Sequence, residues 1–195
     1  MDCENMKSER VAYIRRNMFG KILDIGANQG LLHRMIDDGK MIGLDIVVSN
    51  YSKRMVRGSA EKMPFKENSF DTIIAGEVLE HLPHPEKFMQ ECKRVLQSKG
   101  IVIISTPNRN ALINKLLHKF DCARTSDVDF HRHVFTEEEL KTLASKYFNV
   151  EEFSYLAYDE IASPEGGGFY FIRKMLNSVL PRSLREEMIV KLRKK

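Results

Sequence analysis

Cysteine is scarce in this chain. Cys3, Cys92 and Cys122 are odd in number and widely spaced, which fits neither zinc-ligand spacing nor a disulfide framework. Such usage predicts a reducing, cytoplasmic setting. No apolar run approaches the roughly 20 residues of a membrane-spanning helix. The first residues also lack the pattern of a secretory leader. Charge of one sign is modest as well, with a net +4 over 195 residues. No basic patch interleaved with aromatics is present, which argues against a dedicated nucleic-acid module. The positive excess is local. From Pro181 onward, Arg182, Arg185, Lys191, Arg193, Lys194 and Lys195 face only Glu186 and Glu187. At helical spacing Leu184, Met188, Ile189 and Leu192 share one face there. Residues 176–195 therefore read as a basic C-terminal tail, a short amphipathic helix packed on the domain or loose in solvent. An anionic membrane or a nucleic acid is the alternative partner for it. A hydrophobic fraction of 43% supports one sizeable core, so 1–195 reads as a single domain.

What the chain does have is centred on Lys21–Gly30. Ile22, Leu23 and Ile25 form a short apolar run, and Gly26, Asn28 and Gly30 follow as a tight turn. Leu31, Leu32, Met35 and Ile36 then begin a helical apolar pattern that stops at Gly39. Strand, glycine turn and helix in this order let a ligand approach bare backbone at the positive end of a helix. The dinucleotide fingerprint wants glycines at the first, third and sixth positions of the turn. Those positions hold Gly26, Asn28 and Leu31, which disfavours a pyrophosphate ligand and hence a dehydrogenase. Asp24, two residues before the first glycine, would repel a pyrophosphate and attract an ammonium group. Asn28 tolerates the left-handed backbone such a turn needs.

Further strands alternate with helices. Residues 4–19 predict a first helix with Val11, Ile14 and Met18 on one face, either a cover over the ligand site or a packing helix. Met41–Asp45 is a second apolar strand that ends in an acid about twenty residues after the first, followed by Ile46. A carboxylate there can accept two hydrogen bonds from a ribose diol. Ser69–Gly76 predicts a fourth strand, Pro85–Ser98 an amphipathic helix and Gly100–Asn108 a fifth strand. Residues 109–120 predict a helix with a wide apolar stripe. Thr136 and Glu139 form a capping box that starts another helix. Residues 149–157 and 168–175 read as the sixth and seventh strands, with a glycine-rich loop between them. Alternation of this kind argues for a parallel, doubly wound α/β sheet.

Ordered segments along the chain carry a resemblance to a known family. The pattern around Asp24, Gly26 and Gly30 resembles motif I of class I S-adenosylmethionine-dependent methyltransferases, and the strand ending at Asp45 resembles motif II. Met55–Phe65 resembles the family's third-strand segment, with Ser59 where an Asp is usual. Glu77–Pro83 and Ser105–Arg109 look like the ubiquinone-type O-methyltransferases. The resemblance covers roughly residues 20–150. It implies a Rossmann-like, seven-stranded sheet in the order 3-2-1-4-5-7-6, with strand 7 antiparallel and helices on both faces. It also implies S-adenosyl-L-methionine as cofactor and S-adenosyl-L-homocysteine as product. Asp24, Gly26, Asn28 and Gly30 would then hold the amino-acid end, with Glu77 nearby. Asp45 and Ile46 would meet the ribose and base. Ser59, the amide of Ala60 and Glu61 would lie at the adenine edge.

Methyl transfer from a sulfonium is a direct displacement, so alignment and water exclusion matter more than a catalytic motif. A base is needed only for a protonated nucleophile. His81, at the tip of the fourth strand, and His131 and His133, ahead of Phe135, are the candidates. A metal reading of the paired histidines lacks further ligands in sequence, so no metal is expected. The expected function is methyl transfer to a small-molecule acceptor. The alternatives are an RNA or protein acceptor, or a non-catalytic protein that binds the cofactor.

Overall fold

The computed structural model describes residues 8–27, 32, 36, 39–48, 54–111, 132–156 and 181–195. The strand expected over 168–175, the glycine-rich loop before it and most of the helix expected over 109–120 lie outside these residues. So do most of the helix after the first turn and His131.

Helix α1 spans Glu9–Asn17. Ser8 starts it by accepting a hydrogen bond from the Val11 amide at 3.1 Å. Arg15 and Arg16 sit in its last turn, where the helix dipole favours cations. Strands β1 (Ile22–Ile25), β2 (Met41–Asp45), β3 (Met55–Arg57) and β4 (Phe70–Gly76) follow. A 3₁₀ turn, Leu79–His81, then leads to α2, Pro85–Val95, which opens on the proline. Strand β5 is Leu96–Pro107. Helix α3 is Glu137–Ser145, started by the expected capping box of Thr136 and Glu139. Strands β6 (Phe148–Leu156) and β7 (Glu187–Lys194) complete the sheet.

The seven strands lie in the order β3-β2-β1-β4-β5-β7-β6. β7 runs antiparallel to both neighbours, while the pairs from β3 to β5 are parallel. The sheet is covered on both faces, and successive residues alternate between the covers. Ile22, Met41, Ile74, Ile101, Ile103 and Ile189 pack with Val11 and Ile14 of α1. Leu23, Ile73, Val102, Ile104, Val190 and Leu192 pack on the other side with Phe88, Met89, Cys92 and Leu140 of α2 and α3.

The C-terminal segment corrects the sequence reading. Residues 187–194 are not part of a basic amphipathic tail; they are β7, inserted between β5 and β6. Met188, Ile189, Val190 and Leu192 are fully buried, shared between both faces of the sheet. A strand buried on both faces presents a continuous apolar run, which periodicity cannot tell from a short helix. Here the β-branched pair Ile189–Val190 and the free edges of β5 and β6 decide for a strand. The basic side chains have structural partners. Lys194 Nζ donates to the Asn68 side chain at 2.9 Å and to the Leu96 carbonyl. Arg193 donates to the Lys99 carbonyl at 2.6 Å and pairs with Glu151, and Lys195 donates to the Ser145 carbonyl at 2.6 Å. Among the described residues, no helix is long and apolar enough to cross a membrane.

Leu192→Ala separates strand from tail. Truncating a fully buried leucine at the centre of the sheet should lower the unfolding free energy by roughly 2–5 kcal/mol in a urea titration. A solvated tail would give a change within about 0.5 kcal/mol.

Candidate active site

The parallel strands end together on one side of the sheet, and the chemistry gathers there. Asp24 is buried in β1 at 4% exposure, in register with Gly43 on β2 and Ile74 on β4. Gly26 follows with φ +71°, a left-handed conformation that glycine adopts without strain. A Cβ there would lie 2.3 Å from Val78 Cγ2, so the bend also needs glycine for space. The Gly26 and Ala27 amides both donate to the Leu44 carbonyl, at 2.8 and 3.3 Å, which ties the tip of β1 to that of β2. Asn28 and Gly30 lie outside the described residues.

Asp45 closes β2, and its Oδ1 accepts from the Val47 amide at 3.0 Å. Ile46 and Val47 are 67% and 69% exposed, an apolar ledge directly after the acid. Gly58 donates to the Asp45 carbonyl at 2.9 Å and so brings the Ser59–Phe65 loop alongside. Ser59 Oγ accepts from the Glu61 amide at 3.1 Å. Ala60 is buried, and its N–H meets no acceptor among the described residues. Glu61 Oε1 accepts from the His84 amide at 2.6 Å, so this carboxylate reaches the start of α2.

At the tip of β4, Glu77 adopts φ +54° and its amide donates to the Ser105 carbonyl at 3.1 Å. Its carboxylate accepts from Ser105 Oγ at 3.4 Å. Arg10, projecting from α1, lies 3.9 Å from Glu77 and 3.3 Å from Glu187 at the start of β7. Loss of hydration pushes the Glu77 carboxyl well above the usual range, and the negative charges of Glu187 and Glu80 add to this; Arg10 and Ser105 oppose it. Glu80 is fully buried in the 3₁₀ turn and accepts from Thr106 Oγ1 at 3.1 Å. Burial raises its pKa too.

The Glu80 carbonyl accepts from the amides of Arg132 and His133, at 2.8 and 3.0 Å. The segment ahead of α3 is thereby laid against the β4 tip. His81, exposed on that turn, and His133, tilted against Phe135 at 6.0 Å, belong to one neighbourhood. Asn108, buried after β5, donates to the carbonyls of Ser183 and Arg185 at 3.0 and 2.8 Å and holds the entry to β7. A groove of about 730 Å³ opens beside these tips, lined in part by Asn110, Thr136, Glu138, Tyr155 and Leu184. The Tyr155 hydroxyl donates to Glu137; burial, with that carboxylate, raises its pKa, so it stays protonated. Among the described residues no cluster of His, Cys, Asp and Glu is arranged to hold a metal.

Residues 23–104 match the model of a methyltransferase domain family. Over this stretch the chain is similar to S-adenosylmethionine-dependent methyltransferases. A probable S-adenosylmethionine-dependent methyltransferase of Mycolicibacterium smegmatis is 33% identical over 98 residues, covering 45% of this chain and 38% of that protein. The ubiquinone biosynthesis O-methyltransferase of Glaesserella parasuis is 31% identical over 125 residues, covering 52% of this chain and 53% of that one. In fold, a Thermotoga maritima S-adenosylmethionine-dependent methyltransferase superposes with TM-score 0.67 at 20% identity, covering 95% of this chain and 87% of that one. The chain spans about half the length of the curated relatives it matches. The match to the family model ends at Ile104, before β6 and β7.

Sequence reasoning missed Arg10, Thr106 and Glu187. Arg10 and Glu187 sit at opposite ends of the chain, and nothing local marks their meeting at Glu77. Thr106 lay within a quoted motif, but its partner Glu80 became visible only once β4 and β5 were paired.

The raised carboxyls of Glu77 and Glu80 make stability depend on pH in a defined direction. A native pKa above the ordinary 4.5 means the folded state holds its proton more tightly than the unfolded chain. Stability should therefore fall as pH rises from about 4.5 through the native pKa. Glu80→Gln removes one of the two ionisations, so its denaturation free energy should decline less between about pH 5 and 8 than that of the wild type. Parallel pH profiles for both proteins would contradict this reading.

Proposed function

We propose that this chain binds S-adenosylmethionine at the tips of β1, β2 and the Ser59–Phe65 loop and transfers its methyl group to a small molecule. The 195 residues would act as one methyltransferase domain in the cytoplasm. The observation that carries the reading is the joined pair of tips. A glycine bend preceded by a buried acid stands next to a second acid with an exposed apolar ledge. An adenine nucleoside bearing an amino-acid arm fits these features. Asp45 accepts hydrogen bonds from the ribose hydroxyls, and Ile46 lies against the base. The Ala60 amide, which meets no acceptor among the described residues, and Ser59 Oγ read the edge of the base. Glu61 works from behind, through the His84 amide. Asp24 and the bend at Gly26 hold the amino-acid arm, with Asn28 and Gly30 next in sequence as further candidates and Glu77 at its side.

The bound cofactor supplies an electrophilic methyl carbon. The chain aligns the acceptor with it and excludes water. Where the acceptor is a hydroxyl or a protonated amine, His81, His131 or His133 takes the proton. The groove beside the β5 and β6 tips, at about 730 Å³, is of the size that takes a small organic molecule. The relative named for ubiquinone biosynthesis points in the same direction. Arg193, Lys194 and Lys195 already donate to backbone carbonyls and Glu151, which favours a small-molecule acceptor over RNA.

Incubation with methyl-labelled S-adenosylmethionine and a metabolite extract should label a small molecule. Label in RNA or protein would move the acceptor to another class, and tight binding with no labelled product would make the chain a binding protein. Asp45→Ala should weaken S-adenosylhomocysteine binding by about 10–100-fold in calorimetry, the cost of losing hydrogen bonds to a charged group. Once an acceptor is known, replacing His81, His131 and His133 together by alanine should slow turnover by about 10²–10⁴-fold. Unchanged turnover would remove the base from the mechanism.

A further inference from the structure

The Ser59–Phe65 loop is held from outside the binding site. Arg94, in the last turn of α2, donates to the Phe65 carbonyl at 2.7 Å and to the Met63 carbonyl at 3.0 Å. Its Nε and Nη2 also grip both oxygens of Glu91 at 2.7 Å, a bidentate pair. Glu91 Oε2 in turn accepts from the Met63 amide at 2.7 Å. One end of the loop is thus tied to α2 by three backbone contacts. The other end is tied to β2 by the Gly58 amide and by tight packing, since a Cβ on Gly58 would lie 2.9 Å from Leu44 Cδ1 and Pro64 Cδ. Between these anchors sits Ala60, with an N–H that no acceptor among the described residues satisfies. Neither Glu91 nor Arg94 belongs to a segment that predicts cofactor contact.

We propose that Glu91 and Arg94 are positioning residues for base recognition, holding the loop so that the Ala60 amide faces a ring nitrogen of the cofactor's adenine. This rests on the cofactor reading given above. Both residues act through the backbone of residues 63–65 and touch no cofactor atom. A fixed N–H donor discriminates between bases because a ring nitrogen that already carries a hydrogen cannot accept from it. Adenine presents an acceptor at that edge, whereas hypoxanthine presents N–H. A loop released from its clamp turns away from the hypoxanthine clash at little cost, so loosening should erase discrimination more than affinity.

The test is calorimetric titration of the full chain with S-adenosylhomocysteine and with S-inosylhomocysteine, for wild type, Glu91→Gln and Arg94→Lys. Each variant is first checked by circular dichroism for native secondary structure. Glu91→Gln is the isosteric change that keeps the fold if Arg94→Lys does not. Wild type should prefer the adenine form by about tenfold or more. The preference should shrink by at least about threefold in either folded variant, because the donor is no longer held in place. A merely structural role would weaken both ligands equally and leave their ratio unchanged, which overturns the inference. Wild type that binds neither ligand overturns the cofactor reading itself, and this inference with it. Wild type that binds both with equal affinity overturns the assignment of Ala60 and its clamp alone.

Discussion

The constraint on which this site depends is the pairing of two neighbouring strand tips. β1 and β2 are parallel and in register, Asp24 opposite Gly43 and Ile25 opposite Leu44. The Leu44 carbonyl, one residue before the end of β2, takes the first two amides of the bend. In a parallel sheet both chains must turn away at the same level, which opens a crevice between their exits. Because the exits are joined by hydrogen bonds, the bend after Asp24 and the acid of Asp45 keep a fixed separation. A ligand that carries a polar arm on a sugar can then be met at the arm and at the sugar at once, with little reorganisation.

The remaining contacts extend that rigidity across the sheet. Ser105 and Thr106 tie the β5 tip to Glu77 and Glu80 after β4. Asn108 ties the same strand to the entry of β7. Arg10 brings α1 to the Glu77–Glu187 pair and links the beginning of the chain to its last strand. Carboxylates held this close in a poorly hydrated place repel one another and raise their pKa values. The guanidinium and the hydroxyls offset part of that cost. The motif Ser105–Arg109 therefore has a mechanical meaning: its polar side chains join three strand tips.

Much of this architecture was legible in the sequence. β1, β2 and β4 announce themselves by short apolar runs ending at Gly or Asp, and α2 and α3 by amphipathic spacing, a proline start and a capping box. The strand order followed from the resemblance. The occupant of the seventh place did not, because Met188–Leu192 shows the same apolar density whether coiled on one face or extended between two. Only the unpaired edges of β5 and β6 select the extended form, and such edges are a property of the assembled sheet. The role of Glu61 was hidden for a related reason. Its partner is a backbone amide at His84, and backbone amides leave no trace in composition. The i,i+3 spacing of Glu91 and Arg94 carries no sign of their bonds to the Met63 and Phe65 backbone.

The account is tested most directly by a crystal structure of the chain with S-adenosylhomocysteine. It predicts the amino-acid arm in the bend after Asp24, the ribose hydroxyls on the Asp45 carboxylate and the base between Ile46 and the Ala60 amide. Density for the nucleoside anywhere other than the joined tips of β1 and β2 would contradict it.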